Sequence, residues 1–253
     1  MAVEQLKCTP ELEPFFQELP MPKGINGGEE IISRYGNSFF SSDVNRAMEV
    51  LRRMQDFHDA INSGRFFLCL SQRESFKEIY ADPIPNWASD WIKCQYLTSA
   101  LKMYNSAFDL YLQVNWLYYE LYKNYPKIPQ DITTENLRLI LEKCNLTRVI
   151  DPSDKYDFHI NEKIKKAIDN FTESEAYNKI HDLCNSMKHR QRIDFKELSN
   201  GKHTIYIDCD GYNSSKTLLV SSFPELLSVL KDYHKKISIL SDESTPFWNF
   251  NNK

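Results

Sequence analysis

The sequence predicts a mainly α-helical protein, a multi-helix bundle with a small β-hairpin or three-stranded appendage near the C-terminus. Three observations carry this. Glycine is scarce, with seven in 253 residues, which disfavours a turn-rich sandwich. Residues 87–122 hold no Gly or Pro, and Trp91, Tyr96, Leu97, Leu101, Tyr104, Phe108, Tyr111, Leu112 and Trp116 wrap more than one face. A helix that is apolar around most of its circumference belongs at the centre of a bundle. From Ile193 onward the apolar period changes to two, the period of a strand.

Residues 1–40 read as an arm packed on the domain that follows, 41–253. Pro10, Pro14, Pro20 and Pro22, with Gly24, Gly27, Gly28 and Gly36, break any long helix. Phe15, Phe16, Ile31, Ile32, Phe39 and Phe40 are too apolar for a free tail, and the same segment could reach a partner. Ser42 or Asp43 then caps a helix that reaches Asn62 and ends at Gly64. Phe66 to Tyr80 reads as a second helix or a short strand. The long helix from Trp87 to Tyr122 spans about 50 Å at 1.5 Å per residue. Asn105, Asp109 and Gln113, four apart, line one stripe of it, which favours an exposed stripe over a polar pocket.

After the break at Tyr125-Pro-Lys-Ile-Pro129, Thr133 or Thr134 starts a short helix ending near Cys144. Asp151 to Asp157 is a polar loop, and a further helix covers Asn161 to Phe171. Thr172 and Glu175 form a Thr-x-x-Glu capping pair for the next helix, whose buried stripe is Tyr177, Ile180, Leu183, Cys184 and Met187. Past His189, residues 193–209 alternate as a hairpin turned at Asn200-Gly201, with Lys216 to Val220 as a third strand. This places a β insertion at about 193–220. Ser221 or Ser222 caps the last helix, with Pro224 in its first turn and Leu226, Leu227, Leu230, Tyr233 and Ile237 on one face. The tail from Asp242 is expected to fray.

Composition narrows the function. A net charge of −4 argues against a protein that coats nucleic acid through its overall field, while leaving local basic patches open. The six cysteines form no C-x-x-C, and no His-Glu-x-x-His, Gly-x-x-x-x-Gly-Lys, Gly-x-Gly-x-x-Gly or Gly-x-Ser-x-Gly occurs. No metal site and no cofactor are expected; His181 and His189, eight apart, fall outside standard ligand spacing. The N-terminus has no signal-peptide pattern, and polar residues interrupt Tyr104–Tyr122, so neither secretion nor a membrane association is expected. The reading is a cytoplasmic protein with reduced thiols, in which the sequons at Asn145 and Asn170 are chance matches.

One stretch concentrates chemistry: Asn185, Lys188, His189, Arg190 and Arg192 close the helix that begins near Thr172. Asn185 and His189 lie one turn apart on one face. An imidazole can move a proton during phosphodiester cleavage, an amide can fix its tautomer, and Arg190 or Lys188 can stabilise phosphate charge, with Arg192 as a further phosphate ligand. The same residues also make a helix C-terminal cap with cations offsetting the helix dipole.

Cys184-Asn-Ser-Met-Lys-His189, followed by Arg190, at the end of a late helix in a helical chain resembles the HEPN superfamily. Asn185 and His189 match the Asn and His of that family's Arg-Asn-x(3–5)-His signature, while Cys184 stands in the place of its Arg. The Asn-x-x-Lys-His-Arg form resembles a divergent, little-characterised bacterial branch. The resemblance implies a helical bundle, a homodimer with facing sites, and metal-independent endoribonuclease activity or RNA binding in defence or stress systems. Its catalytic residues would be His189 as acid/base, Asn185 and Arg190, with Lys188 and Arg192 on RNA phosphate. The alternative is a non-catalytic helical interaction or dimerisation module that docks a protein partner.

Overall fold

The computed structural model describes residues 10–22, 44–74, 76, 86–151, 158–188, 193–198 and 220–248. These residues are mainly helical. The helices are α1 (Glu13–Glu18), α2 (Val44–Leu70), α3 (Asn86–Tyr118), α4 (Thr134–Leu141), α5 (Leu146–Ile150), α6 (Glu162–Thr172), α7 (Glu175–Lys188) and α8 (Phe223–Ser244). Short 3-10 turns cover Leu121–Asn124 and Thr245–Phe247. The chain divides into two compact units, one of residues 1–20, 63–103 and 175–234, the other of residues 21–62, 104–174 and 235–253.

Several boundaries differ from the sequence reading, each for a physical reason. Gly64 does not end α2, which continues to Leu70. Met54, Phe57, Ile61 and Leu68 form its fully buried stripe, and Gly64 falls on that stripe between Ile61 and Leu68. Gly64 is itself buried and helical, so the burial of the stripe on either side outweighs the modest cost of glycine inside a helix. Phe66 and Phe67 therefore belong to α2 and not to a separate element. Thr172 is the last residue of α6, where its hydroxyl donates to the Asp169 carbonyl at 3.2 Å, so it does not open α7. Helix α5, absent from the sequence reading, is capped by Asn145, whose side chain accepts from the Arg148 amide at 3.0 Å. Thr133 and Asn161 cap α4 and α6, and Ser222 Oγ accepts from the Glu225 amide at the start of α8.

The unit containing α4–α6 is centred on the second half of α3. Tyr104, Tyr111 and Trp116 are fully buried there, with Phe57 against the Tyr111 ring at 5.5 Å. Helix α3 stops without glycine. Glu120 takes φ 54°, in the left-handed region, and Arg46 donates to the Tyr118 carbonyl at 3.1 Å while its guanidinium lies 3.6 Å from the Glu120 carboxylate. That contact satisfies one of the orphan carbonyls at the helix end. Of the tail expected to fray from Asp242, residues 242–248 are ordered on the core, while 249–253 lie outside the described residues. Trp248 is 0% exposed, its Nε1 donates to Asn115 Oδ1 at 3.1 Å, and Asn115 Nδ2 donates to the Tyr111 carbonyl at 3.0 Å. The Tyr111 hydroxyl in turn shares a 2.6 Å hydrogen bond with Ser244 Oγ, and burial pushes that phenol above its ordinary range.

The other unit joins α1, the end of α2, the start of α3, α7 and the start of α8. Leu12 and Leu19 of the arm are buried. Arg65 donates to the Phe16 carbonyl at 2.8 Å and lies 4.6 Å from its ring centroid. Glu11 pairs with Arg73, and Lys231 with Glu18 at 2.7 Å. In the region expected to be a hairpin, the described residues 194–195 pair in parallel with 220–221, and a turn follows at 196–198, with the Leu198 amide donating to the Phe195 carbonyl. No hairpin is shown; its expected turn at Asn200-Gly201 and returning strand lie outside the described residues.

Candidate functional site

Helix α7 presents two faces set by its sequence. Ala176, Tyr177, Ile180, Leu183 and Cys184 are buried, a run at helical spacing that fixes the rotation of the helix. Cys184 is 4% exposed, and its Sγ lies 3.9 Å from the Leu101 carbonyl of α3. The position that carries the arginine of the HEPN signature therefore points into the core of this unit.

One residue on, about 100° around the helix, Asn185 is half-buried and its Nδ2 lies 2.9 Å from His181 Nε2. The His181 ring stacks on Tyr177 with centroids 5.4 Å apart and 15° between planes. With the amide nitrogen as donor, Nε2 accepts, and the neutral ring then carries its proton on Nδ1. Lys188 ends the helix on the exposed side and makes no side-chain hydrogen bond or ion pair among the described residues. Of the residues singled out in the sequence, Asn185 and Lys188 are thus placed. His189, Arg190 and Arg192 lie outside the described residues.

His181 is the partner that the sequence reading did not give to Asn185. The signal was present, since residues 181 and 185 stand four apart just as 185 and 189 do. Lys179, on the same helix, is engaged by Glu225 at the start of α8, and that hydrogen bond holds the Glu225 carboxyl below its usual range.

The cysteines offer no activated thiol where a shift is seen. Burial, then the Glu197 and Asp90 carboxylates, push the Cys94 thiol up to about 12, and burial raises Cys144 further. A reactive thiol needs the opposite shift.

On α3, Asp109 is exposed and Asn105 donates to it at 3.5 Å, while Gln113 is half-buried at an open cleft of about 380 Å³ beside Arg53, Leu137, Arg138 and Leu141. Both arginines are paired there, Arg53 with Glu49 at 2.9 Å and Arg138 with Glu142 at 2.7 Å. Among the described residues no three His, Cys, Asp or Glu side chains gather as a metal-ligand set, and no helix is long and apolar enough to cross a membrane. Comparison with protein-family models, with curated proteins and with solved structures finds no match.

Proposed function

We propose that this chain is a HEPN-like, RNA-associated protein that holds RNA phosphate at the basic end of α7 and does not cleave it. The observation that carries the second half of the proposal is the burial of Cys184 against Leu101. In the family this resembles, the arginine at that position faces the cleft together with the histidine. An arginine here would have to bury its guanidinium against α3, which is strongly unfavourable without a partner. The binding half rests on Lys188, exposed and without an ion-pair partner among the described residues, together with Arg190 and Arg192 in the sequence that follows. Cations free of internal ion pairs are the groups that engage phosphate oxygens. The homodimer implied by the resemblance, the bacterial defence or stress setting and the cytoplasmic location belong to this proposal.

Incubation of purified protein with RNA in EDTA tests it. The expected outcome is a complex with intact RNA. Cutting that survives EDTA and disappears in His189→Ala would instead assign His189, Asn185 and Arg190 the catalytic roles that the family's active members give them.

The second reading, a helical interaction module, is favoured by one observation. Trp87 and Trp91 are 63% and 45% exposed, and large exposed aromatic side chains commonly mark contact surfaces. On that reading the protein binds no RNA and self-associates or docks a protein.

A further inference from the structure

The open cleft of about 380 Å³ lies against α4 and is lined from α2, α3 and α4, within one compact unit. Its volume is at the low end of those that hold small molecules. Leu137 and Leu141, one turn apart on α4 and half-buried, give it an apolar wall. Arg53, Gln113, Arg138 and Glu142 supply polar lining. Gln113 differs from the rest of its stripe on α3. Asn105 donates to Asp109, whereas Gln113 Oε1 is buried with no hydrogen-bond partner among the described residues. An amide oxygen left so bears its full desolvation cost, which a donor on a ligand removes.

The two arginines are oriented by their partners and not used up by them. Arg53 donates from Nε to Glu49 at 2.9 Å, with its Nη1 3.5 Å from Asp56, and Arg138 donates from Nε to Glu142 at 2.7 Å. Nη2 of Arg53 and both terminal nitrogens of Arg138 have no partner among the described residues. Guanidinium nitrogens of this kind take a carboxylate. The charges around the cleft also balance: Arg52 and Arg53 sit with Glu49 and Asp56, and Arg138 with Glu142. A multiply charged anion meets no excess of positive charge there, while a zwitterion meets both signs. We infer that this cleft binds a small α-amino acid with an apolar side chain. Its carboxylate lies on the terminal nitrogens of Arg53 and Arg138, its ammonium on Gln113 Oε1 with the Glu142 carboxylate beside the cleft, and its side chain on Leu137 and Leu141. The site owes nothing to the RNA reading and stands or falls apart from it.

L-Leucine is the probe, and three analogues each remove one of its parts. Glycine lacks the side chain, isocaproate the ammonium and isoamylamine the carboxylate. Isothermal titration of the full chain is expected to show saturable binding of L-leucine at one site, with each analogue about ten-fold weaker or worse. Gln113→Met keeps the length of the side chain and removes the acceptor, and is expected to weaken L-leucine about ten-fold. Arg138→Gln, at an exposed position, is expected to weaken it by a smaller factor. Circular dichroism checks that the variants fold; should Gln113→Met unfold, the analogues and Arg138→Gln still decide. No binding of L-leucine at about 10 mM overturns the assignment. Isocaproate or glycine bound as tightly as L-leucine also overturns it, since the ammonium or the apolar wall then contributes nothing. Full affinity for L-leucine in both Gln113→Met and Arg138→Gln places the ligand elsewhere and overturns it as well.

Discussion

Two buried residues set tests at the smallest scale. His58 is 5% exposed, its Nε2 has no hydrogen-bond partner among the described residues, and burial lowers its pKa despite the nearby Asp59 and Asp242 carboxylates. The folded protein thus holds this imidazole neutral, while the unfolded chain protonates it below about pH 6.5. The unfolded state then binds the extra proton, so stability is level above that pH and falls as pH drops below it. Urea midpoints at pH 7.5 and 5.5 are expected to differ more for the wild type than for His58→Gln; equal differences would remove His58 as the cause. Cys184 gives the second test. Cys184→Arg restores the family signature in sequence yet places a charge in the core, and is expected to destabilise the protein by about 3–5 kcal/mol without conferring RNA cleavage. A stable variant that cuts RNA in EDTA would show that position 184 can reach the site.

At the scale of elements, the C-terminal end of α8 and the turn after it carry more than their position in the chain suggests. Trp248 fills core space beside Tyr111 at 5.6 Å and ties its indole to Asn115. Trp248→Ala is expected to cost about 3–5 kcal/mol by leaving a cavity, in addition to the unpaired Asn115 carbonyl oxygen. A loss below about 1 kcal/mol in urea unfolding would be that of a surface residue and would contradict this packing. The same tail shows where the sequence was and was not readable. Helices α3, α4, α6, α7 and α8 were legible because each buries a stripe at helical spacing and most begin at a recognisable capping residue. The stripe of α7, with Cys184 in it, was legible for that reason, and it fixes which side Asn185 faces. The burial of Trp248 was not legible, because one aromatic residue near a chain end has no periodicity to reveal its direction. Helix α5 has five residues, too few to display a period, and its cap Asn145 looked like a sequon. Gly64 misled because glycine often ends helices, whereas the buried stripe on either side carries the helix through this one. The pairing of Asn185 with His181 was legible in spacing but competed with His189 at the same interval.

For the molecule as a whole, the net charge of −4 means that any RNA must be held locally and against the overall field. Binding of that kind comes from a few phosphate contacts and weakens steeply with salt. Helical content and the absence of a long apolar span among the described helices fit this reading without selecting it over a docking module. The mainly helical class could be read from the whole sequence because helix periodicity is redundant over many residues, whereas the expected hairpin is not shown. The function could not, because it depends on a handful of side chains and on which way one helix is turned. The most direct measurement is the binding of fluorescein-labelled single-stranded RNA in EDTA across a range of salt concentrations, with the RNA recovered and sized afterwards. The account expects binding that strengthens as salt falls, intact RNA, and a salt slope reduced by about 1 in Lys188→Ala. No binding at the lowest salt, or RNA cut by the wild type and spared by His189→Ala, would contradict it.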